Sequence, residues 1–407
     1  MKTSCIHSRK HPLGRMPHSK VKLVCPQCRA ALLRTGEARN CSGCGIPYRH
    51  NDGVLSFLTP DERFNESVYE AKQIAAWTAS AQLRNRIRRS KFLTFINAIR
   101  IRFSLSGRRD RVFLKEMKPR ASRDRLILDL GCGGGRHYFC DYGYVVGVDP
   151  VLPLLKLAGE IYDEVYQTSG FKLPFADSTF DYVVSSDVLG HISAENKDVL
   201  FSEMNRVLKP SGRIVHCSEA DATNVWYRIA HHHPQLFEKY FVDMPGHIGL
   251  ETIPELHKRL TRHGFHPIRL QKLGGAVQEC GALASCFDNE YKNKSRILGF
   301  LVSIDKVLSR NYGLREMLNF LLEPLAQLND ALTPLDHGVG ALIVYEKVDT
   351  AKCTAMQTPG RWRACFRHFA TQRIRSEFNR FSPLLAGGHV VKPSPTNGDQ
   401  LQHKTNT

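Results

Sequence analysis

The sequence predicts an α/β protein built on a seven-stranded sheet, with smaller elements attached at its N-terminal side and before its last strand. Three observations carry this. Between 126 and 348, short β-type runs alternate with helical stretches. The first run, 126–130, is almost wholly apolar and ends in a glycine-rich turn. The next run, 144–149, ends on an acid, Asp149, 20 residues after Asp129.

The remaining strands are expected at 164–168, 180–186, 213–217, 266–272 and 341–347. Helices are expected at 152–159, 195–208 and 253–263. A long segment, 274–339, precedes the last strand and reads as a helical insertion, with helices over 298–308 and 314–332. An insertion of that length is expected to form a lid or a substrate wall. Upstream, 1–20 is rich in His, Pro and Lys without an apolar period and is read as disordered. Residues 21–60 form a small module around two cysteine pairs, and 61–125 a basic helical connector. The tail, 349–407, is basic and largely disordered by composition, with one helix expected over 362–381.

The turn Asp129-Leu-Gly131-Cys-Gly133-Gly134-Gly135 joins a strand to a helical region. Glycines there permit tight turning and let a ligand approach the backbone. The dinucleotide spacing G-x-G-x-x-G counted from Gly131 would need glycine where Arg136 stands; D-x-G-x-G-x-G is met instead. A carboxylate at Asp149 can accept hydrogen bonds from both hydroxyls of a ribose.

Four blocks, LILDLGCGGG, VVGVDP, LPFADSTFDYVVSSDVLGHI and EMNRVLKPSGRIV, stand in order over about ninety residues from 126 to 217. In these blocks the chain resembles the class I S-adenosylmethionine (SAM) dependent methyltransferases of the type 11 group. The resemblance implies a Rossmann-like seven-stranded sheet with an antiparallel last strand. It implies that Gly131, Gly133 and Gly135 line the methionine side of SAM and that Asp149 holds the ribose. Many relatives carry an Asp four residues before the Leu of the LPF block, where it holds the adenine amine; here that position is Ser169.

Methyl transfer asks an enzyme mainly for proximity and alignment, sometimes with a base for the nucleophile. His191, just after the fourth strand, is the candidate base, and Asp187 precedes it by one turn. The alternative is that His191 caps or packs the following helix. His216 and Glu219, near the end of the fifth strand, are expected to reach the same cleft. Three successive histidines, His231 to His233, point apart on a helix and lack an evident acidic partner, so a substrate wall or surface role is expected before a metal site.

Cys25-Pro-Gln-Cys28, twelve residues, then Cys41-Ser-Gly-Cys44 offers four thiolates in two knuckles, the donor set of a closed tetrahedral zinc site. A fold that has lost its metal, or a redox pair, are the alternatives. The stretch from Lys22 to Leu58 is similar to the Trm112-like zinc ribbon, which implies a structural zinc.

The formal net charge is +18, unevenly spread. Residues 84–125 hold 15 Lys/Arg against 3 Asp/Glu, and 351–407 hold 9 against 2, whereas 126–350 are net acidic with 21 against 28. Phe92, Phe95, Ile96, Ile99 and Phe103 form one helical stripe among arginines. Such a helix can lie on an anionic membrane, grip RNA, or pack its stripe on the sheet. With no apolar run long enough to span a bilayer and no secretory signal, a cytoplasmic protein, peripheral on a membrane at most, is expected. Three functions fit: a methyltransferase on a small or lipid-like acceptor, favoured by the acidic core and helical insertion; an RNA methyltransferase; and a non-catalytic docking partner.

Overall fold

The computed structural model describes residues 19–36, 38–59 and 71–348; the expected lead-in and the tail with its 362–381 helix lie outside these, apart from 19–20. The strands are β1 (Leu32–Thr35), β2 (Ala38–Cys41), β3 (Pro47–Tyr48), β4 (His50–Asn51), β5 (Val54–Ser56), β6 (Leu126–Leu130), β7 (Tyr144–Asp149), β8 (Glu164–Gln167), β9 (Phe180–Ser186), β10 (Leu208–Glu219), β11 (Phe265–Leu273) and β12 (Gly340–Lys347). The helices used below are α1 (Ala71–Arg89), α2 (Lys91–Phe103), α3 (Arg108–Met117), α4 (Leu152–Ala158), α5 (Ala194–Val207), α6 (Val225–His231), α7 (Ile253–Arg262), α8 (Ala282–Phe287), α9 (Arg296–Arg310) and α10 (Tyr312–Leu332).

The main sheet has the order β11-β12-β10-β9-β6-β7-β8-β5-β4. It therefore holds nine strands where the sequence predicts seven. The two extra strands come from the cysteine module: β5 adds parallel to β8, and β4 turns back antiparallel on β5. The free edge of β8 offers unpaired N–H and C=O groups, and the short hairpin satisfies them. β12 runs antiparallel to both β10 and β11.

β6 lies between β7 and β9, parallel to both. Flanked on both edges, and with Ile127 and Leu128 fully buried, it must be apolar on both faces, which is why its sequence runs without alternation. From β6 the chain moves outward through β7 and β8, then returns to β9 on the other side. Strand order reverses between β6 and β9, so their carboxyl ends open a crevice.

Both faces of the sheet are buried, and the cysteine module shares one of these cores. Val21, Tyr48, Leu55 and Phe57 pack in one cluster with Leu128, Tyr166 and Phe175. Phe57 and Tyr166 rings lie 6.1 Å apart, and Val24 N–H donates to the Pro174 carbonyl at 3.0 Å. Arg29 adds an ion pair to Glu203 of α5 at 2.7 Å.

α7 follows ordinary amphipathic rules. Thr252 and Glu255 form a capping box, Pro254 occupies the first turn, and Ile253, Leu256 and Leu260 are buried against the sheet. The helical insertion behaves differently, as α10 shows below. The stripe on α2 is exposed, with no buried residue on that helix, so it does not pack on the sheet.

Candidate active site

The glycine turn sits at the carboxyl end of β6. Gly131, Gly133 and Gly135 all have positive φ, at 64°, 51° and 78°. Their surroundings differ. A Cβ on Gly131 would stand 2.5 Å from Val188 Cγ2, and one on Gly135 3.3 Å from Ala158 Cα. At Gly133 nothing lies within 4 Å of that position. Of the three, Gly133 is the one that faces open space, and a side chain there would fill it.

Asp149, at the end of β7, clamps the turn. Its Oδ2 accepts from Gly133 N–H at 2.9 Å and its Oδ1 from Val151 N–H at 2.8 Å. Each carboxylate oxygen has a second lone pair, so a ribose hydroxyl can be accepted as well. Ser169, half-buried, follows the end of β8.

Asp129 lies beneath the turn, 4% exposed. Tyr162 donates its hydroxyl to Asp129 Oδ2 at 2.5 Å and accepts Arg136 N–H at 2.6 Å. Burial raises the Asp129 carboxyl to about 7, although the Tyr162 bond pulls the other way. Asp129 thus steadies the turn through Tyr162. Above the turn, α1 closes down: a Cβ on Gly134 would stand 2.3 Å from Ala81 Cβ, so glycine is needed for this approach.

At the tips of β9 and β10 a second group assembles. Asp187, in the left-handed region at φ 60°, pairs with Arg109 of α3 and lies 4.0 Å from Arg136. Burial opposes its charge, but Arg109 foremost, with Arg136, holds the carboxyl below the usual carboxylate range. Burial, then the Asp187 charge, pushes Glu219 up to about 9. Asp187 Oδ1 and Glu219 Oε2 are both buried without a donor from another group, and a proton kept on Glu219 and offered to Asp187 serves both.

His191, on the short turn Leu189–His191, places its Nδ1 3.0 Å from the Gly246 carbonyl. That contact assigns the proton to Nδ1 and leaves Nε2 as an acceptor. Burial lowers its pKa, so the ring is neutral near pH 7. Trp77 of α1 stands edge-on to it at 6.1 Å, and His247, itself lowered to about 4 by burial, lies 5.0 Å away.

His216 and Glu219 do not share the cleft. Three residues apart on one strand, they point to opposite faces. His216 is buried at 1% exposure, its Nδ1 bonded to Ser185 Oγ inside the core. The three histidines also differ from expectation, since His231 does have an acidic partner, Asp221, at 3.0 Å, and stacks on Phe237. Arg109, Trp77, Tyr162 and His247 reach the site from segments that no motif marks.

The four cysteine sulfurs lie within 4.8 Å of one another, the one group of metal-ligating side chains found among the described residues. Gly43 and Cys44 N–H donate to Cys41 Sγ at 3.3 and 3.4 Å, and Cys25 Sγ lies 3.2 Å from Tyr48 Oη. Amide donors aimed at sulfur are what a thiolate cluster around a cation requires.

Residues 128–216 match the family model described as a methyltransferase domain. A demethylmenaquinone methyltransferase from Streptomyces avermitilis is 30% identical over 193 residues, which cover 42% of this chain and 83% of that one. The chain belongs to the SAM-dependent methyltransferases. A probable tRNA methyltransferase 9B from Mus musculus is also 30% identical, over 190 residues. That match takes in 46% of this chain but only 39% of the mouse protein, well under half its length. Among solved structures, phosphoethanolamine N-methyltransferase 2 from Haemonchus contortus in complex with SAM aligns at a TM-score of 0.37 and 19% identity, over 60% of this chain and 53% of that one.

Proposed function

We propose that the protein transfers a methyl group from SAM to a small or lipid-like acceptor held at the tips of β9 and β10. The observation that carries this reading is the pairing of two features at one end of the sheet. Gly133 opens onto empty space, and the neutral His191 stands walled by Trp77 and His247. The residues present fit SAM, since Gly133 and Asp149 offer a cradle that a side chain would fill and a carboxylate for the ribose. SAM supplies an electrophilic methyl group when bound.

The chain's own groups do the rest. His191 takes the acceptor's proton at Nε2, while its Nδ1–H keeps donating to the Gly246 carbonyl and fixes the ring. Asp187 remains ionised against Arg109 and, with Glu219, forms a fixed polar floor that orients the acceptor. Trp77 and His247 exclude water around the base. Gly131 and Gly135 shape the turn, Asp129 steadies it, and Ser169 stands where an adenine contact is expected. In the N-terminal module Cys25, Cys28, Cys41 and Cys44 hold a structural zinc, with no position left open for chemistry. The open space at Gly133 speaks against a purely docking role.

A second reading, an RNA acceptor, is favoured by the mouse relative's name and by the 15 Lys/Arg against 3 acids in 84–125. Incubating the protein with labelled SAM and fractionated cell extract separates the two. Label in small metabolites or lipids is expected, and label confined to RNA would contradict the favoured reading. His191→Ala should lower kcat by roughly 10²–10⁴-fold if Nε2 is the base; unimpaired turnover assigns it to packing. Cys25→Ser should strip zinc from the purified protein, and unchanged metal content would remove the zinc assignment.

A further inference from the structure

α10 is built inside out. At 100° per residue, Glu316, Asn319, Glu323, Ala326 and Asp330 form one stripe, and Met317, Leu321, Leu325, Leu328 and Leu332 another about 180° away. The polar stripe is the one that faces the protein. Asp330 pairs with Arg108 at 2.6 Å, Glu323 pairs with Arg111, and Asn319 accepts Cys280 N–H at 2.7 Å. Glu316 accepts from Ser104 and Ser106 at 3.0 and 2.7 Å. The leucine stripe faces outward, with Leu332 75% exposed.

Two further helices do the same. α9 exposes Ile297, Phe300, Leu301, Ile304 and Val307, and α2 exposes the stripe from Phe92 to Phe103. α10 contacts both helices, with the Phe103 and Phe320 rings 6.2 Å apart. Together these three helices carry 18 of the 25 large apolar side chains exposed among the described residues. A concentration of that kind marks an interaction surface.

We propose that α2, α9 and α10 form a docking surface for an anionic lipid bilayer, lying on it with their apolar faces in the headgroup boundary. Charge selects this occupant. All four acids on the three helices, Asp305, Glu316, Glu323 and Asp330, are turned inward and engaged. The charged groups left exposed on the three helices themselves are all bases, Lys91, Arg102, Arg296, Lys306 and Arg310, with Arg86 and Arg89 at the end of α1; Glu290, on the turn before α9, is exposed but paired to Lys239. A basic rim around an apolar face is the pattern of interfacial helices on anionic lipid. A hollow of about 510 Å³ at the start of α9, lined by Arg228, Lys294 and Leu298 among others, adds two further bases at this end of the surface. A second copy would bring two basic rims together, and the segment 351–407, with 9 Lys/Arg against 2 acids, carries the same sign. Nucleic acid has no use for leucine and isoleucine faces of this extent. No helix among the described residues is long and apolar enough to cross a membrane, so the surface lies on the bilayer. The inference holds whether or not the acceptor is itself a lipid.

The test is flotation of the full chain with vesicles of phosphatidylcholine alone or mixed with phosphatidylglycerol. Co-flotation with the mixed vesicles is expected, lost in the double variant Leu321→Asp, Leu328→Asp and weakened roughly five-fold for each of Lys91→Gln and Arg102→Gln. Unchanged thermal melting of these variants shows that folding is intact, and because flotation needs no turnover, it fails or succeeds independently of the methyltransfer reading. Absence of flotation with either vesicle, or equal flotation of wild type and the double variant, would overturn the proposal. So would a dimer in light scattering that the double variant dissolves, or tRNA binding that it abolishes.

Discussion

α7 and α10 carry the same kind of apolar stripe and use it in opposite ways. On α7 the stripe of Ile253, Leu256 and Leu260 is buried, and the charged side meets solvent. On α10 the charged side is buried on Arg108 and Arg111 of α3, and the stripe is exposed. Hydrophobic periodicity therefore identifies a face without saying what covers it. The deciding factor is the neighbour: α7 meets the apolar face of the sheet, whereas α10 meets a row of arginines.

Substitutions that exchange the two environments sharpen this contrast. Leu260→Asp places a carboxylate in the core of α7 and should cost more than about 4 kcal/mol, read as lost folding in denaturant titration. Next comes Arg108→Leu, which leaves Asp330 buried without its cation and should cost about 3–5 kcal/mol by the same titration. Leu328→Asp on α10 should change stability by no more than about 0.5 kcal/mol, since that side chain already faces solvent. If Leu328→Asp destabilises the protein as strongly as Leu260→Asp, the inversion is wrong.

A pH-dependent effect is expected from Glu219, a half-buried acid of the site. Its folded-state pKa is raised from 4.5 to about 9, so the folded protein keeps a proton the unfolded chain has lost. The stability this confers is fully present below pH 4.5 and is lost as pH rises through about 9. Melting curves across that window should show wild type losing more stability with rising pH than Glu219→Gln, which cannot ionise. Parallel pH dependence in the two would mean that Glu219 carries no such proton.

Much of the fold was legible in the sequence because its determinants are local. The run before Gly131, the glycine spacing and the acid at Asp149 are all set within one strand–turn–strand unit, and the four cysteines by the reach of two knuckles. What stayed hidden depends on partners far along the chain. β4 and β5 are two and three residues long, too short to show a period, and gain their place only from the open edge of β8. The Arg109–Asp187 pair joins residues 78 apart, and Trp77 reaches His191 from a helix whose composition announces only charge. The expectation that His216 and Glu219 share a cleft failed on the two-residue period of a strand, which the sequence already contained.

The central claim is that Gly133 opens the place where SAM binds. Calorimetric titration of SAM into wild type and into Gly133→Arg tests it most directly. Saturable binding to wild type, abolished in a Gly133→Arg protein that still melts cooperatively, is the predicted result. No binding to wild type, or equal binding to both, would contradict it.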